Sequence, residues 1–152
     1  MKDRIKQLLH HPLLSNRWFL MGLWFVIALA GMLKYNRSFN NFLIFRGVYW
    51  HTVNQTSLYA AYPAEYGDVN HYGPVFSLVI APFALLPLWA GMLLWLVFLT
   101  AWLYVAIVRS GLHEKQKIFI LWFCGITLPT ALFMQQFNIA VAAMILSSFF
   151  LI

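Results

Sequence analysis

Four side-chain carboxylates occur in this chain of 152 residues, and two of them, Glu65 and Asp68, stand three residues apart in YPAEYGDVNHYGP (62–74). Tyrosines, a histidine, an asparagine and two prolines surround them. A carboxylate within hydrogen-bond reach of a hydroxyl can take its proton as a general base. Plainer roles fit the same residues. The aspartate of GDVN suits a turn or a helix N-terminus, Glu65 suits a solvated surface, and Gly73 and Pro74 set a turn. His71 and Tyr72 can contact a substrate, or Tyr72 can anchor at a membrane interface. Arg46, in FRGVYWH, fits either a bidentate grip on phosphate or a side chain reaching to lipid headgroups. QQFN (135–138) brings Gln135, Gln136 and Asn138 together, as the lining of a polar cavity or as a turn between helices.

Other chemistry-bearing patterns are missing. The sequence has no GxGxxG, no phosphate-binding P-loop and no HExxH. Its one cysteine, Cys124, lies in an apolar run, which leaves no disulfide framework and no CxxC site. His10 and His11 lack a third ligand. Neither a metal nor a cofactor is expected.

The elements that must position these residues are membrane helices. The chain is 62% hydrophobic and 9% charged, whereas soluble domains carry roughly 25% charged residues. A water-soluble fold could not hide so much apolar surface. The expected fold class is therefore all-α, a polytopic helical membrane protein. The net charge of +6 does not indicate nucleic acid, because the basic residues sit at the edges of apolar runs, where membrane topology puts them. Most of the tryptophans fit lipid-facing or interfacial positions.

The apolar runs predict spans over about residues 14–33, 88–108, 118–134 and 139–152, the last of them cut short. The first is read as a retained helix that also targets the chain, and the residues before it as a basic interfacial segment. Residues 34–73 form the one sizeable aqueous stretch. Residues 75–86 are apolar but bounded by Pro74 and Pro87, with Pro82 inside, and predict a short helix lying on the membrane surface. If that helix does not cross, Lys2, Arg4, Lys6, Arg17, Arg109, Lys115 and Lys117 all fall on one side. That is seven of the ten Lys and Arg residues. The positive-inside rule then makes the N-terminus cytoplasmic and residues 34–87 an outer loop, which is expected to carry short juxtamembrane helices. An acidic residue at a helix centre costs roughly 2.5–3.5 kcal/mol on insertion scales. Glu65 and Asp68 are the two carboxylates on the outer side, just before the surface helix, and QQFN falls on that side too.

The stretches NNFLIFRGVYWHTVNQTSLYAAYP (40–63) and HYGPVFSLVIAPFALLPLWAGMLLW (71–95), followed by QQFN, resemble glycosyltransferase family 87. These are polytopic C-type enzymes that include polyprenyl-phosphate-mannose-dependent mannosyltransferases. The shared pattern is an acidic or amide start after the first span, a short helix, and Leu-Tyr before a Tyr-x-Pro apolar segment. Leu-Pro then leads into a Trp-containing helix, and a Gln-x-Asn element comes later.

The resemblance implies a polyprenyl-phosphate sugar as donor, a glycan or glycolipid as acceptor, and membrane lipid as surroundings. The setting is the outer face of a bacterial inner membrane. A loop carboxylate deprotonates the acceptor, and a hexose transfers with inversion as the lipid phosphate leaves. One position departs from the pattern. The catalytic aspartate that the family carries just after the first span is replaced by Asn40 and Asn41, which can bind a sugar hydroxyl but cannot take its proton. Asp68 and Glu65 are then the candidate bases in view, unless a later part of the chain supplies one. Arg46 is the candidate phosphate partner, and Asn41, His71, Tyr72, Gln136 and Asn138 are the candidate sugar contacts. Family members are longer, so the resemblance implies an N-terminal portion, inactive in isolation. Two other readings fit the same residues: a non-enzymatic handler of lipid-linked sugars, which would leave both carboxylates dispensable, and a structural membrane subunit, which would assemble stably with a second protein.

Overall fold

The computed structural model describes residues 11–35 and 40–149. The basic residues Lys2, Arg4 and Lys6, His10, and the last three residues of the final apolar run lie outside the described residues. The fold is all-α, with no strand among the described residues. A 3-10 turn (Pro12–Ser15) precedes α1 (Arg17–Gly31), which a second 3-10 turn (Met32–Lys34) prolongs. Then follow α2 (Asn40–Val53), α3 (Phe76–Ala84), α4 (Leu88–Arg109), α5 (Glu114–Phe133) and α6 (Asn138–Phe149).

Three of these helices are long and apolar enough to cross a membrane: α1 with its extension (18 residues), α4 (22 residues) and α5 (20 residues). At 1.5 Å per residue they reach about 27, 33 and 30 Å, against a hydrocarbon core of about 30 Å. This is the make-up of an integral membrane protein. α3 has nine residues and reaches only about 14 Å. Pro74 and Pro87 bracket it, and Pro82 within it cannot donate the next helical hydrogen bond.

Local sequence sets where the helices begin. Asn16 caps α1, its Oδ1 accepting from the N–H groups of Trp18 (2.9 Å) and Phe19 (3.2 Å). The apolar run alone would start α5 at Ile118. It starts instead at Glu114, because His113 and Gln116 form a reciprocal capping box.

α4 is the central helix and packs against α1, α3, α5 and α6. Of its most apolar stretch 56% is buried, against 22% for α1 and 17% for α5. Met92, Trp95, Leu96 and Leu99 are fully enclosed. On α1 and α5, Val26, Leu29, Phe123 and Ile126 face outward, as side chains covered by lipid would.

Two features depart from the sequence-based expectation. Trp24 and Trp95 are core residues rather than interfacial ones. Trp24 also donates to the Leu121 carbonyl at 3.2 Å, which satisfies its indole inside the bundle. α2 is one of the short helices expected between the first two spans, but it is packed rather than aqueous: its Phe42, Phe45 and Val48 are buried. Their three-residue spacing places them along one helical face, and that face packs against α3.

Candidate functional site

At the end of the bundle where α5 meets α6, α2 and α3 form a layer, and residues 54–73 run back along α2. Five contacts fix this return. His51, in the last turn of α2, is buried. Its Nδ1 lies 2.9 Å from the Thr56 hydroxyl, and its ring stacks on Tyr62 at 3.8 Å between centroids. Its Nε2 lies 3.2 Å from Glu65 Oε2, an ion-pair distance without hydrogen-bond alignment, so Nε2 makes no hydrogen bond. Tyr66 lies over Gly47, where an added Cβ would come within 2.7 Å of the ring. Finally, the Asn40 side chain accepts from the Gly67 N–H at 2.7 Å, 27 residues along the chain.

These contacts separate the two carboxylates. Glu65 is engaged with His51. Asp68 follows directly on the Gly67–Asn40 bond, is exposed, and among the described residues accepts only from the N–H of its neighbour Val69, at 2.7 Å. It borders a shallow open pocket of about 270 Å³ whose other walls include Tyr62, Pro63, Tyr66 and Gly67.

Asn70 holds the far side of the loop. It is 3% exposed. Its amide donates to the carbonyls of Leu58 (3.1 Å) and Tyr72 (2.8 Å) and accepts from the Tyr72 N–H (2.8 Å). Tyr72 is thereby laid against Phe76, stacked at 4.6 Å, with the edges of Phe45 (5.0 Å) and Phe137 (6.1 Å) beside it. Burial raises its phenol above the ordinary tyrosine value. The Tyr66 phenol is raised by burial first, then by the charges of Glu65 and Tyr62. Both phenols therefore stay neutral at neutral pH.

Each neutral hydrogen bond is worth roughly 1 kcal/mol net, and an orphaned buried partner costs more. Asn70→Ala is accordingly expected to open residues 58–72 while leaving the spans intact. Hydrogen exchange at the Tyr72 amide should accelerate by about tenfold or more. Unchanged protection there would mean that the amide does not hold the loop.

The loop and the α5–α6 turn are joined. Asn41 donates to the Met134 carbonyl at 2.6 Å, across 93 residues. Gln135 is buried with a φ of 46°, and this left-handed residue reverses the chain between the helices. Gln136 and Asn138 lie beyond it, 3.5 Å apart through their side-chain amides. Asn41, Tyr72, Gln136 and Asn138 thus lie around one junction, where the Phe137 ring meets Tyr72. His71 is exposed nearby. Arg46 is half-buried on α2, its Nε donating to the Ala84 carbonyl at the C-terminus of α3 at 3.1 Å. Its Nη groups have no hydrogen-bond partner among the described residues. Glu65 lies beside His51 instead.

Sequence reasoning passed over His51 and Asn70. The Asn-x-Tyr-Gly-Pro order was a usable turn signal. Nothing local marked His51. No three His, Cys, Asp or Glu side chains gather among the described residues. His11 instead caps the first 3-10 turn, accepting from the Leu13 N–H at 3.3 Å.

A sequence profile of Glycosyltransferase family 87 matches residues 70–152. The match starts at Asn70 and takes in Tyr72, α3, α4 and the α5–α6 turn. Comparison with curated proteins and with solved structures gave no match.

Proposed function

Since the chain belongs to glycosyltransferase family 87, a family of membrane glycosyltransferases, we propose that it moves a hexose, mannose by preference, from a polyprenyl phosphate carrier to a hydroxyl of a glycan or glycolipid acceptor. The reaction takes place on the outer face of a bacterial inner membrane. The N-terminus is cytoplasmic, an orientation favoured by the positive-inside rule and by an α3 too short to cross. Asp68 takes the acceptor proton. The acceptor oxygen bonds to the anomeric carbon from the face opposite the phosphate. The bond from that carbon to the phosphate oxygen breaks, and its electron pair leaves with the lipid phosphate. Glu65 is the second candidate base, and its contact with His51 makes it the less available one.

One observation carries this reading beyond the family. The Asn40–Gly67 bond brings the backbone beside Asp68 to the start of α2, where the family resemblance calls for a carboxylate and this chain has asparagines. Asn41 has committed its N–H to Met134, which leaves its oxygen to accept from a sugar hydroxyl. Tyr72, His71, Gln136 and Asn138 supply the remaining polar rim. Arg46, anchored through Nε, offers its Nη groups to the donor phosphate.

The test is transfer by the full-length protein in proteoliposomes, supplied with a polyprenyl-phosphate hexose or with the nucleotide sugar alone. Product from the lipid-linked donor only is expected. Direct use of the nucleotide sugar would overturn the donor assignment, and no transfer from either would favour a non-enzymatic role. Arg46→Lys keeps a charge but loses the planar fork. It is expected to raise the KM for donor about tenfold or more, roughly one charge-assisted hydrogen bond, with a smaller change in kcat.

A further inference from the structure

A second recess lies at the opposite end of the bundle, about 30 Å away along α5. It is an open cavity of about 850 Å³ between the first turns of α1 and α5, walled by Ser15, Arg17, Trp18, Lys115, Ile118 and Phe119, with Glu114 at its edge. The site proposed for sugar transfer uses none of these residues.

Three observations define what the cavity can hold. The first is charge. Glu114 is engaged by Lys117, 3.1 Å away, with Arg17 at 4.0 Å. Arg17, Lys115 and Lys117 against Glu114 leave this corner with two net positive charges. The second is exposed aromatic surface. Trp18 is 73% and Phe119 68% exposed, placed where side chains at a membrane–water boundary sit. The third is continuity with an apolar groove. Ser15 and Ile118 are shared with an adjoining recess of about 400 Å³ lined by Leu14 and Trp122. The Trp122 indole donates to the Leu14 carbonyl at 2.8 Å and fixes that wall. A basic cavity thus passes, one turn down a spanning helix, into an apolar slot.

A free phosphate would use the first of these features and leave the other two idle. A lipid whose phosphodiester sits against Arg17 and Lys115, with an acyl chain in the Leu14–Ile118–Trp122 slot, uses all three. From this layout we propose that the cavity between α1 and α5 is a binding site for an anionic phospholipid, at the interface opposite the α2–α3 layer. Basic pockets between membrane helices recognise phospholipid headgroups by this chemistry. The site is independent of the transfer reaction and would stand if that reading failed.

The experiment is native mass spectrometry of the full-length protein, delipidated in detergent and titrated with phosphatidylglycerol or phosphatidylcholine. Wild type is expected to retain phosphatidylglycerol in preference. Arg17→Gln with Lys115→Gln is expected to lose about thirtyfold in apparent affinity for it, from roughly 1 kcal/mol per basic residue at a membrane surface. Affinity for phosphatidylcholine should not move, and this also reports that the variant is folded. The charge-keeping pair Arg17→Lys with Lys115→Arg should restore preference for the anionic lipid. Equal retention of both lipids by wild type, or unchanged phosphatidylglycerol binding in the double glutamine variant, would overturn the site. Displacement of the lipid by millimolar inorganic phosphate would overturn the lipid in favour of a free anion.

Discussion

Asp68→Asn is expected to lower the rate of sugar transfer by about a hundredfold to ten-thousandfold, the usual range for losing a general base. The substitution is nearly silent structurally. Asp68 is exposed, and among the described residues its one hydrogen bond is from the Val69 N–H, which an amide oxygen can accept equally well. What the amide cannot do is take a proton. The turn, the Gly67–Asn40 bond and the amount of protein in the membrane should therefore be unchanged, with the loss falling in kcat rather than in KM. Glu65→Gln is the matched control. It disturbs the contact with His51 and should change kcat by only a few fold. Full activity in Asp68→Asn would remove that residue from the mechanism. A deep loss in Glu65→Gln with a mild one in Asp68→Asn would exchange the two roles.

The largest effect on stability is expected at Gly91. A Cβ there would lie 2.2 Å from the Phe83 carbonyl oxygen and 3.2 Å from the Phe42 ring. α4 thus meets the end of α3 and the apolar face of α2 at a point that tolerates no side chain. A rotating side chain cannot relieve a clash with a backbone oxygen, so α3 must shift. Over-packing of this kind costs about 1–3 kcal/mol, and the upper part of that range applies here. Because Ala84 holds Arg46, the shift also reaches the proposed phosphate contact. Gly91→Ala should therefore lower both the thermal midpoint in detergent and the affinity for donor. Gly22, on α1, has nothing within 4 Å of the same virtual atom. Gly22→Ala should be neutral, or stabilising by up to about 1 kcal/mol through helix propensity. Equal melting of the two variants would contradict the α3–α4 packing described above.

The sequence carried the helices through unbroken apolar composition, and so it was most informative about α4, whose 22 residues form one run between Pro87 and Ser110. It was less informative where capping overrides composition, as at Glu114. A short helix was legible at α2 but its buried face was not, because Phe42, Phe45 and Val48 are diluted by Asn, Arg, Tyr and His and produce no apolar run, although their spacing was there to be read. The site residues stood out by type, as carboxylates, amides and a guanidinium in an apolar chain. Their grouping did not. Asn40 with Gly67, and Asn41 with Met134, join positions 27 and 93 residues apart, and no local periodicity reports such pairs. Asn70 and His51 look in sequence like an ordinary turn residue and an ordinary helix residue.

The asparagine pair at the start of α2 also bears on engineering. Asn40 works through its oxygen, and Asn41 through its nitrogen. A carboxylate can only accept. Aspartate at position 40 would go on receiving the Gly67 N–H, so a carboxylate could be introduced there with the loop still docked. Aspartate at position 41 would set a negative oxygen against the Met134 carbonyl and release the α5–α6 turn. Of two neighbouring, chemically identical substitutions, one is compatible with the docked loop and the other is opposed by a partner 93 residues away.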